Sequence, residues 1–122
     1  MATQEIKSTN WEQFCKRFKE LHQGQMISIE LINTMGMREP IAQDMPLQDI
    51  RFVKTKGCSD QMIVVVQETG KREIQHIIIE PIHVKVREEG EGSKGLQIDA
   101  ETGSTLIRFS SGKLNELMEG LE

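Results

Sequence analysis

The sequence predicts an α+β protein, mainly β, in which an N-terminal helix packs on a small antiparallel β-barrel or a strongly curved sheet, with a short C-terminal helix. Two observations predict this class. Apolar residues recur at helical spacing over residues 8–23, and short β-prone segments joined by turns fill residues 25–109. Strands that are joined only by turns pair antiparallel. We expect one domain over residues 1–122, with a helical tail at 110–122.

The predicted N-terminal helix has a start signal, a stop signal and one apolar face. Thr9 and Glu12 form the T-x-x-E pattern of a capping box, and Gly24 is placed to end the helix. The apolar positions follow helical periodicity, at Trp11, Phe14, Cys15, Phe18 and Leu21. Three of the five aromatic residues of the chain lie on this stripe. We therefore expect Trp11, Phe14 and Phe18 to be buried against the sheet.

The first β-prone segments differ in how regular they are. Residues 26–33 alternate between apolar and polar, which predicts a half-buried strand. Pro40 and Pro46 cannot donate to a strand ladder, so we expect a weak strand, a bend at the second proline, and another strand through residues 51–56. Residues 62–67 contain five apolar residues in a row, a pattern consistent with a strand that is buried on both faces.

Residues 73–88 are the most β-prone segment, rich in β-branched residues and interrupted once by Pro81. We expect a bulge or an edge position at this proline, where the sheet bends. The segment is longer than any strand available to pair with it. Part of it should therefore either wrap around the sheet or remain an open edge that favours a homo-oligomer. A final hairpin is predicted from residues 95–100 and 105–109.

Composition restricts the class of function. A formal charge of −4 disfavours binding to nucleic acid or to an anionic membrane, and the scarcity of aromatic residues (4 %, no tyrosine) removes the usual stacking platform for single strands. No apolar run approaches the roughly 20 residues of a membrane helix, and the opening MATQEIKSTN lacks the apolar core of a signal peptide. We expect a cytoplasmic protein with Cys15 and Cys58 as free thiols.

Motifs that could support chemistry are weak. Residues 90–95 match G-x-G-x-x-G, but a predicted strand follows where a dinucleotide site needs a helix. His76 and Glu80 would lie about 13 Å apart along a strand, too far for one metal ion. Asp99 and Glu101, about 7 Å apart by the same rise, flank a predicted turn. We expect no catalytic, cofactor-binding or metal-binding residues and no cofactor. His76 is the candidate pocket residue, as a partly buried imidazole bonded to a carbonyl or a carboxylate.

Several segments together carry a likeness to a known family. They are the opening MATQEI, the helix with Trp11 and its phenylalanines, Pro46-Leu47-Gln48-Asp49-Ile50, His76-Ile77-Ile78-Ile79-Glu80-Pro81 with Val84, and Gly95-Leu96-Gln97-Ile98 leading to Gly103 and Leu106-Ile107-Arg108-Phe109. In these features the chain resembles a family of short bacterial proteins that is classified only as a domain of unknown function, over about residues 1–110. The resemblance implies a stand-alone cytoplasmic domain with no known activity, and it supplies no site residues.

Three functions remain open at this point. The first is a non-enzymatic binding or scaffolding domain, whose partner is another protein or a second copy of the chain. The second is an RNA-binding barrel, because the order of elements is similar to that of Sm-like proteins; the charge disfavours it. The third is a small-molecule or enzymatic site at the mouth of the barrel near His76. Fold analogy alone does not decide among them.

Overall fold

The computed structural model describes residues 3–55, 57, 59–67, 70, 72–89 and 93–109. These residues form one α-helix and eight strands. The elements are α1 (Trp11–His22), β1 (Thr3–Ile6), β2 (Met26–Asn33), β3 (Arg38–Val53), β4 (Gln61–Gln67), β5 (Glu73–Ile79), β6 (Pro81–Glu89), β7 (Ser93–Ala100) and β8 (Gly103–Phe109). The predicted α+β, mainly β class is confirmed. The predicted helix at 110–122 and Cys58 lie outside the described residues.

The strands form one antiparallel sheet in the order β1-β6-β7-β8-β2-β3-β4-β5. Within the described residues β1 and β5 each pair with one strand only, so the sheet is open and a closed barrel is not confirmed. It is nevertheless strongly curved. His76 on the outer strand β5 approaches Thr105 on β8 to within 3.0 Å, although three strands lie between them in the order of the sheet. This curvature brings β5 over the end of the β7–β8 hairpin.

Helix α1 packs against β3 through the predicted stripe, but the stripe is only partly buried. Trp11, Cys15 and Phe18 are buried, and the Trp11 ring meets Phe52 edge-on with centroids 5.3 Å apart. Phe14 packs against the core but is only partly buried, so its expected burial against the sheet is confirmed only in part. Leu21 is 72 % exposed. The apolar face of α1 therefore extends beyond the surface that the sheet covers.

The predicted start signal of α1 is wrong, whereas its predicted stop signal is confirmed. Ser8–Asn10 form a 3-10 turn, Asn10 occupies the N-cap position, and no side chain caps the helix. The predicted capping box is therefore wrong, because the 3-10 turn already includes Thr9. Gly24 follows the helix with φ +87°, a conformation that costs little only for glycine.

Strand β3 is one strand of 16 residues, so the predicted division into two strands was wrong. The bend occurs within the strand, at Asp44, which has φ +49° and whose backbone N–H donates to the Ser28 hydroxyl at 3.1 Å. The pairing with β2 shifts register nearby, between Ile27 and Ile29. A bulge of this kind lets a strand bend without ending.

The predicted long strand at residues 73–88 is divided at Glu80, which has φ +52° and separates β5 from β6. A register shift between Pro81 and His83 confirms the expected bulge. The two expected outcomes, wrapping around the sheet and remaining an open edge, each occur in one part of the segment. Strand β6 lies inside the sheet between β7 and β1, a strand that was not predicted, whereas β5 is an outer strand.

The core lies between α1 and the concave face of the sheet. Five consecutive residues of β4 are buried, which confirms the expectation for that strand. Aliphatic side chains from β2, β3, β4, β6, β7 and β8 fill the centre; the most completely buried are Ile27, Ile29, Leu47, Met62, Val64, Val66, Val84, Leu96, Ile98 and Ile107. Apolar surface remains outside this core beside α1 and on β5.

Candidate functional site

A cavity of about 280 Å³ lies between β5 and the turn that joins β7 to β8. Ligand sites usually range from about 300 to 1,000 Å³, so this cavity is at the small end. Its lining is Leu31, His76, Ile77, Ile78, Ile79, Glu80, Ala100, Glu101, Thr102, Gly103 and Thr105. We call it the His76 cavity. Its position follows from the curvature of the sheet, which brings β5 over the turn between β7 and β8.

His76 itself is half-buried, and one ring nitrogen is engaged. Its Nε2 lies 3.0 Å from the Oγ1 of Thr105, which is only 2 % exposed. Burial lowers the pKa of His76 below its ordinary value of 6.5, because the charged imidazolium loses solvation. The ring is therefore neutral at pH 7. The predicted partner was a carbonyl or a carboxylate, whereas the observed partner is a buried hydroxyl.

Two constrained backbone positions shape the rim of the His76 cavity. Glu80 is held in its left-handed conformation by its backbone N–H, which donates to the Asp60 carbonyl at 2.8 Å, and by its Oε1, which accepts from the Ser59 hydroxyl at 2.7 Å. Gly103 has φ +144°, and an added Cβ would overlap the backbone of Ile32. These contacts fix the shape of the rim. The side chains offer hydrogen bonds to a small polar molecule, without an arranged nucleophile and base.

Asp99 and Glu101, the two carboxylates near the β7–β8 turn, do not form a joint site. Glu101 lies exposed in the β7–β8 turn, whereas Asp99 is partly buried and accepts hydrogen bonds from Gln97 at 2.8 Å and Ser104 at 2.7 Å. Lys85 lies 3.2 Å from the same carboxylate. Burial alone would raise the pKa of Asp99, but these hydrogen bonds and the charge of Lys85 lower it overall. Asp99 is thus a structural anion that links β6, β7 and β8.

The remaining groups that could react are also separated in space. His83 on β6 bonds to Glu5 on β1 at 2.7 Å, and His22 at the end of α1 bonds to Gln25 at 2.8 Å. Burial, with a smaller contribution from Asp49, raises the pKa of Cys15 to about 12. No cluster of three potential metal-binding side chains occurs in the described part of the chain. Its helices also include none with the length and apolarity needed to cross a membrane.

A second concave region lies where α1 leaves the sheet. It has a volume of about 320 Å³ and is mainly apolar; its lining is Phe14, Arg17, Phe18, Leu21, His22, Val86, Gly95 and Phe109. We call it the aromatic groove. The rings pack closely there, since Phe18 stacks on Phe109 with centroids 5.8 Å apart and His22 lies 4.6 Å from Phe109. The sequence predicted that Phe14 and Phe18 are buried, but it did not predict their proximity to Phe109.

The third feature is the outer edge of β5. Its residues alternate, so that Ile74, His76 and Ile78 point inward while the other face contains Ile77 and Ile79. Ile77 is 47 % exposed and Ile79 is 57 % exposed. Ile82, just after the Glu80 turn, is 52 % exposed and adds to the same end of the molecule. The sequence did indicate this feature, because the segment was too long and too β-prone to pair fully.

Comparison with known proteins identifies a family and nothing more. A family of unknown function (DUF5335) matches residues 2–116, which confirms the resemblance seen in the sequence and extends it beyond residue 110. No curated protein and no solved structure matches the chain.

Proposed function

The chain belongs to this family of unknown function, and from its structure we propose that it is a non-enzymatic binding domain that self-associates through the outer edge of β5. The observation that carries the proposal is the exposure of Ile77 and Ile79 on a strand whose outer side has no partner among the described residues. Open β-prone edges are normally covered, charged or paired. Pairing is the outcome that fits this strand.

A second copy of the same chain is the partner that suits β5 best. Two β5 strands that pair antiparallel about a two-fold axis satisfy both open edges at once. Glu73 is the only charged residue in the strand, and it lies at one end. In an antiparallel pair centred on His76, each Glu73 faces Ile79 of the other copy, and the two carboxylates lie roughly 20 Å apart. Like charges therefore do not oppose this pairing.

The chemistry of the remaining sites supports binding over catalysis. His76 shares one nitrogen with Thr105, the Asp99 carboxylate is engaged by Gln97, Ser104 and Lys85, and Cys15 is held as a thiol by its raised pKa. His76 and Asp99 connect strands, and Cys15 is part of the buried core. We propose that the protein acts in the bacterial cytoplasm as a small homo-oligomeric scaffold, in which the curved sheet continues from one copy into the next.

The oligomeric state in solution tests this proposal. Light scattering or sedimentation at micromolar concentration should give a mass of twice the 13.9 kDa of the chain. The double variant Ile77→Lys with Ile79→Lys should be monomeric, because lysine on an edge strand opposes pairing. Both side chains are exposed, so folding should be retained, and circular dichroism checks this.

A matched variant distinguishes edge pairing from a general effect of charge. Thr3→Lys with Gln4→Lys adds the same charge to the exposed residues of β1 and should leave the dimer intact. Backbone amides of β5 should also exchange more slowly as protein concentration rises, because strand pairing adds backbone hydrogen bonds. A wild-type mass of 13.9 kDa across the micromolar range, or a dimer that survives the β5 substitutions, contradicts the proposal.

A further inference from the structure

The aromatic groove continues the apolar face of α1. Phe14, Phe18 and Leu21 follow one another at i, i+4 and i+7, which places them on one side of the helix. Trp11 and Cys15 are covered by the sheet, whereas Leu21 is 72 % exposed. This row of apolar side chains is partly covered at one end and exposed at the other. A second helix can pack against such a row.

The chain leaves the described structure at this groove. Phe109, the last described residue, lines the groove and stacks on Phe18. The sequence that follows contains apolar residues at i, i+3, i+4 and i+7, at Leu114, Leu117, Met118 and Leu121. At 1.5 Å per residue, a helix from 114 to 121 would be about 10 Å long, the same length as the row from Phe14 to Leu21.

We propose that the aromatic groove is the docking site of residues 110–122 of the same chain, with the apolar stripe of that segment packed on Phe14, Phe18 and Leu21. The linkage to Phe109 supports this occupant over a separate molecule, because it holds the stripe next to the groove at high effective concentration. The inference is independent of the proposed association through β5.

Charge at the groove agrees with this occupant. Arg17 lines the groove, and among the described residues no carboxylate pairs with it. The segment from 110 to 122 contains three glutamates and one lysine. Glutamates of this segment beside Arg17 would form a weakly stabilising ion pair at the rim of the groove. The leucines of the segment would cover the aromatic rings.

Disulfide trapping tests the docking directly. Leu21→Cys is combined in turn with a cysteine on the stripe (Leu114→Cys, Leu117→Cys or Leu121→Cys) or on the opposite side (Glu116→Cys or Glu119→Cys), in a Cys58→Ser background. Cys15 remains, since it is buried and its thiol is unreactive. A disulfide needs Cβ atoms about 3.5–4.5 Å apart, so mild oxidation reports close approach.

The expected result is an intramolecular disulfide at one or more stripe positions and at neither opposite position. Absence of any disulfide, or equal yield on both sides of the segment, overturns the proposal. Disulfides that form only between chains overturn it as well, because they place a second copy in the groove. Mass spectrometry after non-reducing electrophoresis separates these outcomes.

A second measurement does not depend on introduced cysteines. Leu117→Asp should expose the groove and raise the binding of a hydrophobic dye severalfold, whereas Asn115→Asp adds the same charge outside the stripe and should not. Equal dye binding by the two variants contradicts the proposal. Circular dichroism of both variants confirms that the sheet remains folded.

Discussion

The two outer strands of the sheet differ in how well they are protected. Strand β1 has four residues, three of them polar and exposed, and it is held at both sides: the Trp11 indole donates to the Ile6 carbonyl at 2.9 Å, and Glu5 bonds to His83 at 2.7 Å. Strand β5 has seven residues, four of them isoleucine, and a single charge. Its outer face is exposed at Ile77 and Ile79.

This difference shows how one sheet can have a closed end and an available end. A short polar strand tied to a helix offers little to a second chain, whereas a longer aliphatic strand offers a backbone template and apolar surface. The two ends therefore should respond differently to substitution. Changes at the β1 end should affect folding alone, and changes at the β5 end should affect association or the local cavity.

The largest effect on the β1 end should come from Trp11→Ala. Trp11 is buried, contacts Phe52 and bonds to β1, so its loss should lower the free energy of unfolding by about 3–5 kcal/mol. Urea denaturation followed by circular dichroism measures this loss. Trp11→Phe, which keeps an aromatic ring and removes the indole N–H, should cost less. A loss below about 1 kcal/mol for Trp11→Ala would mean that α1 does not hold the β1 end.

Trp11 also illustrates what the sequence could predict. Its place on the apolar stripe predicted its burial, and the alternation in residues 26–33 predicted β2 with the observed bounds. Local periodicity identifies such elements because it directly reports which face is apolar. The class of the fold followed from the same patterns.

Features that depend on contacts distant in sequence were not predictable in this way. Strand β1 has too few apolar residues to show a pattern and exists because β6 provides a pairing edge. The bond between His76 and Thr105 joins positions 29 residues apart across a curved sheet. Phe109 reaches Phe18 because β8 pairs with β2, the strand that follows α1, so that Phe109 lies opposite Ile27. At Glu80 the sequence indicated a bend one residue late, because Pro81 gave the signal while the preceding residue took the positive φ.

The next prediction concerns the β5 end and the dependence of the free energy of unfolding on pH. Because burial lowers the pKa of His76 in the folded protein, the unfolded chain binds the proton more readily below about pH 6.5. The contribution of the neutral His76 to the free energy of unfolding is therefore fully present above the unfolded pKa. This free energy should fall as the pH drops from 6.5 toward the lower folded pKa. Denaturation midpoints between pH 8 and pH 5 measure the fall.

His76→Gln isolates this contribution. The variant should lose no more than about 1–3 kcal/mol at pH 8, the range for disturbing one buried polar contact, and the difference from wild type should shrink at pH 5. Any bound-metal content of the purified protein should be the same in both. A difference that is constant with pH, or stoichiometric zinc that disappears in the variant, would contradict a structural role for this imidazole.

The smallest effect should come from Glu5→Gln at the β1 end. The Glu5 and His83 side chains are 53 % and 46 % exposed, so their interaction is screened by water and salt, and its loss should cost less than about 1 kcal/mol. Comparing the free energy of unfolding of both proteins at low salt and in 1 M salt tests this, since screening should reduce the difference further. The variant should keep the same oligomeric mass as wild type, because β1 takes no part in the proposed pairing. A change in mass would show that the β1 end also contacts a second chain, and the contrast between the two outer strands would no longer hold.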